Sequence, residues 1–248
     1  GGVFAMQDTV TELLQPHADV VVRLPPYCKV CHVPFEGIRS VFPRLRGIVP
    51  DTQHPGFCNK CADVDFPPHD QIVSVLFCDI RNFTTLTEQN SPSAMACMLR
   101  RYFTVVSRII IANEGFVEKF VGDAVMSFFN APMPLERHEA AAVLTAMQIR
   151  RAIDKMNLPG LEVGIGVNSG NARVGKLGPE PGMEFGIVGD CVNVAARLQS
   201  QAIAGEIVLS HDVFEKSRDV IPTIIPWREC SLELKGKSRP YRCVVLGT

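Results

Sequence analysis

The chain has 248 residues, 46% hydrophobic and 21% charged, enough to bury a sizeable core in one large domain or in a medium domain with a small companion. A net charge of −1 gives no electrostatic footprint for DNA, RNA or an anionic membrane surface. The longest apolar runs, such as 109–112, fall far short of the roughly 20 residues that a membrane span needs.

Residues 1–24 form the first zone, in which apolar side chains at positions 3, 6, 10, 13 and 14 make a helical stripe. The stripe suits a docking or coiled-coil helix and equally a core helix of a small unit. Residues 25–69 are rich in Pro, Gly and Cys and have little periodicity, so a bound metal is the natural staple for them. Positions 63–70, DVDFPPHD, read as a linker.

From residue 70 to 248 the pattern is regular. A strand over 72–78 runs into Asp79, and Ser91-Pro92 is an N-cap followed by proline at the first helical position. Met95, Met98, Leu99, Tyr102, Val106, Ile109 and Ile110 are the expected buried face of that helix. A hairpin is predicted around the turn of FVGDAV, then a helix over 137–156 and a glycine-punctuated strand over 161–175. A helix capped by Asp190 follows over 189–202, with late strands over 206–210 and 232–246. This alternation predicts an α+β fold, a mixed sheet with helices on one or both faces.

Nine cysteines are unevenly spread. Cys28, Cys31, Cys58 and Cys61 form two CxxC pairs whose four thiolates suit a closed, structural Zn²⁺ site. An iron–sulfur cluster would use the same four ligands, and CKVCH also matches a c-type haem attachment sequence, which would not explain the second pair. The other five cysteines are expected to be small buried hydrophobes, and the odd total argues for a reducing, cytoplasmic compartment.

Two acids raise a sharper question. Asp79 ends an apolar strand, where a charge is costly unless paired or metal-bound, and Asp123 sits in a hairpin turn. Each alone reads as a helix cap or a turn residue, but together at neighbouring strand tips they suit Mg²⁺ and phosphate oxygens. Free backbone N–H groups near Phe83 and Thr84 suit phosphate. Asn193 and Arg197, four apart on one helical face, suit an anion or an ordinary solvated surface. GNARVGKLG falls short of a P-loop, since no Ser or Thr follows Lys176 and no helix follows the loop. NFT at 82–84 matches a glycosylation sequon by chance.

Four stretches in this order, VLFCDIRNFTTLTE, EKFVGDAVMSFF, VGIGVNSGNARVGKLG and FGIVGDCVNVAARLQ, resemble the catalytic domain of bacterial-type class III adenylyl/guanylyl cyclases. The resemblance covers about residues 71–247, and the Cys-rich segment lies outside it. It implies a ferredoxin-like βαββαβ core with extra strands. It implies two Mg²⁺ (or Mn²⁺) ions on Asp79, Asp123 and the carbonyl of Ile80, and main-chain contacts to the triphosphate at Phe83 and Thr84. Asn193 would orient the ribose, Arg197 would stabilise the α-phosphate transition state, and Lys235 would hold the β- and γ-phosphates. Lys119 would read the purine in the manner of adenylyl cyclases, whereas the second purine-reading position falls on Gly186, which has no side-chain acceptor. Gly164 stands where some members carry an arginine.

The resemblance further implies that ATP is converted to cyclic AMP and pyrophosphate in a homodimer. One subunit would give the aspartates, and the other Lys119, Gly186, Asn193, Arg197 and Lys235. Two rivals stand beside it: a guanylyl or relaxed purine cyclase, and a non-catalytic metal- or redox-sensing module that binds nucleotide. The organisation leaves room for an upstream sensory domain.

Overall fold

A computed structural model describes residues 26–51, 56–62, 64, 67–178, 184–233 and 240–247. The expected helical stripe at 3–15, Lys235 and part of the expected linker lie outside the described residues.

The strands join in one eight-stranded sheet. β1 (His69–Ile80) pairs antiparallel with β3 (Ala124–Phe129) on one side and with β4 (Val163–Leu177) on the other, and β3 pairs with β2 (Phe116–Val121). The order β2-β3-β1-β4, with a helix crossing between β1 and β2 and another between β3 and β4, is the ferredoxin-like βαββαβ core that was expected. β6 (Ile207–Ser210) extends the sheet parallel to β4, followed by β8 (Tyr241–Leu246) and β7 (Trp227–Leu232). β5 (Glu184–Val188) pairs with the far half of β4.

β1 is buried on both faces, which explains its nearly unbroken apolar run. Leu76, Cys78 and Ile80 point to one cluster, and Val73 and Val75 to another. The first cluster lies under α4 (Pro92–Ala112) and α5 (His138–Met156). Ser91 caps α4 by accepting a hydrogen bond from the Ala94 N–H at 3.3 Å, with Pro92 at the first helical position as expected. Tyr102 is fully buried on α4, its hydroxyl donating to the Cys78 carbonyl at 3.2 Å.

The opposite face is covered by α6 (Asp190–Gln201) and by the Cys-rich segment with its short helices α1 (Val41–Leu45) and α2 (Asn59–Ala62). α6 lies so close to β4 that a Cβ at Gly166 would stand 2.2 Å from the Gln199 nitrogen, so only glycine fits there. α3 (Phe83–Gln89) follows β1 after Asn82, which turns the chain in the left-handed conformation. α7 (His211–Ser217) follows β6 directly.

Three expectations are corrected. Asp190 is not a cap: Gly189 is the N-cap residue in extended backbone, and Asp190 begins the helix. β1 starts at His69, inside the expected linker. Cys230 and Cys243, expected to be free buried thiols, face each other on β7 and β8 with Cα atoms 5.2 Å apart and form a disulfide. The odd cysteine total therefore does not speak for reduced thiols throughout the chain.

Candidate active site and four-cysteine cluster

Asp79 is the penultimate residue of β1, and the register Cys78↔Val125 sets it beside the β2–β3 turn that carries Asp123. The two carboxylates approach within hydrogen-bonding distance, and the N–H groups of Ile80 and Asp123 point to the Asp123 side chain. Burial, and then the neighbouring Asp79, push the Asp123 carboxyl up to about 6. Two half-buried carboxylates brought this close together are a donor set suited to a hard divalent cation.

Two further side chains hold Asp79, and neither was anticipated from the sequence. Arg81 donates from Nη2 to Asp79 Oδ2 at 2.6 Å, and Gln199 donates from Nε2 to the same oxygen at 3.2 Å. Arg81 also reaches the Ala202 carbonyl from Nη1 at 3.3 Å. Its guanidinium passes Gly164 closely, since a Cβ there would stand 3.0 Å from Arg81 Nε. A guanidinium thus lies beside position 164 although residue 164 does not supply it.

Lys119 lies on β2 just after a bulge at Val117/Lys119, with its side chain 55% exposed. Its Nζ stands 3.3 Å from Oε1 of Glu118, and that carboxylate reaches the space beside Gly186 on β5. On α6, Val194, Ala195 and Leu198 are buried, Asn193 is exposed and Arg197 half-buried, so the polar pair faces outward as the spacing predicted. Thr84 is exposed and Phe83 is half-buried against the core. Among the described residues no hydrogen bond or ion pair joins Asp79 or Asp123 to Lys119, Asn193 or Arg197.

Residues 64–243 match the family model described as the adenylate and guanylate cyclase catalytic domain. The chain belongs to this cyclase family. It is 31% identical to adenylate cyclase 1 of Rhizobium meliloti over 160 residues, which is 61% of this chain and 24% of that protein. It is also 31% identical to the terminal-differentiation-specific adenylate cyclase of Dictyostelium discoideum over 174 residues, 67% of this chain and 8% of that protein. The chain thus spans a quarter or less of the length of these curated relatives. Among solved structures, the adenylyl cyclase CyaB from P. aeruginosa superposes with a TM-score of 0.67 at 31% identity, covering 74% of this chain and 97% of that one. The catalytic core of a rhodopsin-guanylyl cyclase with converted specificity, in complex with ATPαS, superposes at 0.65 and 26% identity, covering 73% and 98%.

The four-cysteine cluster lies before the matched region of the cyclase. The sulfurs of Cys28, Cys31, Cys58 and Cys61 all lie within 4.8 Å of one another, and those of Cys31 and Cys58 are 3.7 Å apart. Four tetrahedral thiolates about 2.3 Å from one Zn²⁺ ion would be roughly 3.8 Å apart, so the donor set fits a single ion. The Cys58 N–H donates to Cys28 Sγ at 3.3 Å. Burial raises the Cys28 thiol, but backbone N–H donors outweigh it and hold the thiol below its ordinary value, whereas burial raises the Cys31 and Cys61 thiols.

The segment that carries the cluster is seated on the cyclase core. Lys29, nearly buried, donates from Nζ to the Ile111 carbonyl at 2.6 Å, in the last turn of α4, and pairs with Glu114 at 3.1 Å. A cation there meets the negative end of the helix. Phe57 lies 5.8 Å from Phe116 of β2, which stacks on Phe128 at 5.0 Å and meets Phe185 edge-on at 5.3 Å.

Proposed function

We propose that this chain converts ATP to 3′,5′-cyclic AMP and pyrophosphate, at sites shared between two copies of itself. The observation that carries the reading is the convergence of Asp79 and Asp123 at the strand tips of a cyclase fold. Asp79, Asp123 and the Ile80 carbonyl would hold two Mg²⁺ (or Mn²⁺) ions. When bound, such ions lower the pKa of a ribose hydroxyl and clamp the phosphate oxygens.

The chain's own residues do the rest. Arg81 and Gln199 fix the Asp79 carboxylate so that it presents one orientation. Backbone N–H groups at Phe83 and Thr84, with Lys235, hold the triphosphate. Asn193 aligns the ribose 3′-hydroxyl, and the guanidinium of Arg197 stabilises charge growing on the α-phosphate. Lys119 donates to N1 of the adenine. In one copy the exposed Lys119 and Asn193 point away from the core, as groups serving a partner's aspartates would. Cys28, Cys31, Cys58 and Cys61 hold a structural Zn²⁺ ion that keeps the small segment folded on the core.

The test is turnover of ATP or GTP by the purified protein with Mg²⁺ or Mn²⁺, reading the cyclic nucleotide by mass. Cyclic AMP is expected, and at least 100-fold less with Asp79→Ala. Cyclic GMP as the main product would replace the adenylyl reading with a guanylyl one. No product from a verified dimer would leave a nucleotide-binding module.

A further inference from the structure

Glu118 has no role in the reading above, yet it is the most unusual side chain near the base-reading positions. It lies at the bulge of β2, where the register with β3 slips between Val117 and Lys119. The bulge lets two consecutive residues serve one region: Glu118 turns inward, its side chain 8% exposed, while Lys119 stays open at 55%. A Cβ at Gly186 would stand 2.8 Å from Glu118 Oε1 and 3.4 Å from its Cδ. The carboxylate end therefore occupies the space into which a side chain at 186 would project, and it would have to move to admit one.

The two carboxylate oxygens differ. Oε1 has Lys119 Nζ at 3.3 Å, and the carboxylate also accepts from the Ile187 N–H. Oε2 is buried and has no hydrogen-bond partner among the described residues. An orphaned buried carboxylate oxygen costs free energy unless a ligand completes it. What is missing is a hydrogen-bond donor, and it must fit beside an ammonium that donates in turn.

We propose that Glu118 is a base-reading residue: its carboxylate accepts from the exocyclic amino group of adenine while Lys119 donates to N1. An acceptor and a donor side by side match the N6/N1 edge of adenine. Lys119, the exposed member, shifts its ammonium from Glu118 Oε1 to the base, and the freed carboxylate turns to present its unpartnered Oε2 to the amino group. Lys119 and Glu118, consecutive at one bulge, then form the pair that would otherwise need a side chain at 186. This inference rests on the ATP reading above.

The test compares kcat/KM for ATP with that for purine riboside 5′-triphosphate, which differs from ATP only in lacking the 6-amino group. The intact protein should prefer ATP by about 10- to 100-fold, the range of a hydrogen bond to a charged group. Glu118→Ala and the volume-preserving Glu118→Met should both reduce that preference to within about twofold. Glu118→Ala should also open the space for Gly186→Thr, restoring part of the preference, whereas Gly186→Thr alone should displace the Glu118 carboxylate and lower the preference. A preference for ATP that persists in both Glu118 variants, or equal losses on the two nucleotides, would overturn the proposal. If the intact protein turns over neither nucleotide, the same ratio is read from calorimetric binding of the two triphosphates with Mg²⁺. Failure of the adenylyl reading is then distinguished from failure of Glu118.

Discussion

His138 shows how a residue remote from the proposed chemistry makes part of the fold's stability depend on pH. It begins α5, is 7% exposed, and shares a close contact at 2.8 Å between Nδ1 and the Ser74 hydroxyl of β1. Glu139 beside it is held by Lys216 at 2.7 Å. Burial lowers the His138 pKa below its ordinary 6.5, Glu139 works against that, and Lys216 adds to it. In the unfolded chain the imidazole takes a proton near pH 6.5, whereas in the folded protein it resists until a lower pH. The stability that neutral His138 contributes is therefore full above about 6.5 and is lost as the pH drops toward the folded value. Melting temperatures measured between pH 7.5 and 5.5 should decline, and His138→Gln should flatten the decline; an equally steep decline in the variant would remove His138 as its cause. Legibility at this scale was uneven. Asp79 and Asp123 stand out in the sequence because an acid at an apolar strand end is conspicuous. Glu118 and Arg81 do not, because a bulge and a close approach to a distant glycine leave no mark in local pattern.

Elements were read best where they are long and periodic. α4, α5, the β2–β3 hairpin and β4 agree with expectation to within a few residues. β5 and α7, five and seven residues long, were not singled out, since a strand with a central glycine shows no alternation and seven residues span barely two helical turns. The two CxxC pairs mark the Cys-rich segment as a metal-stapled unit, but its seat on the sheet is hidden in the sequence because Phe57 and Lys29 act on residues far away along the chain. That seat makes the metal matter beyond its own loops. If Zn²⁺ holds Cys28, Cys31, Cys58 and Cys61, a strong chelator or Cys58→Ser should loosen the segment and uncover Phe116 and Phe128. The expected result is a melting temperature lower by several degrees, with faster amide exchange in β2 and at the end of α4. Unchanged exchange at these positions would show that the sheet face does not depend on the cluster.

At the scale of the whole molecule, the order of motifs along the chain carried the family, while the assembly has to be argued from what one copy leaves open. The aspartates are half-buried and Asp79 is already tied to Arg81 and Gln199, whereas Lys119 and Asn193 reach outward with no link to either acid among the described residues. If two copies complete each other's sites, damage to the two halves should complement. Asp79→Ala removes the metal half and Arg197→Ala the phosphate half, so each variant alone should be inactive. In an equal mixture that exchanges subunits freely, half the dimers pair one variant with the other. Each of those has one intact site and one carrying both changes, so activity should return to about a quarter of the unmodified level. A mixture with verified subunit exchange that stays inactive would place both halves of the site within one chain, and the outward-facing Lys119 and Asn193 would then need another explanation.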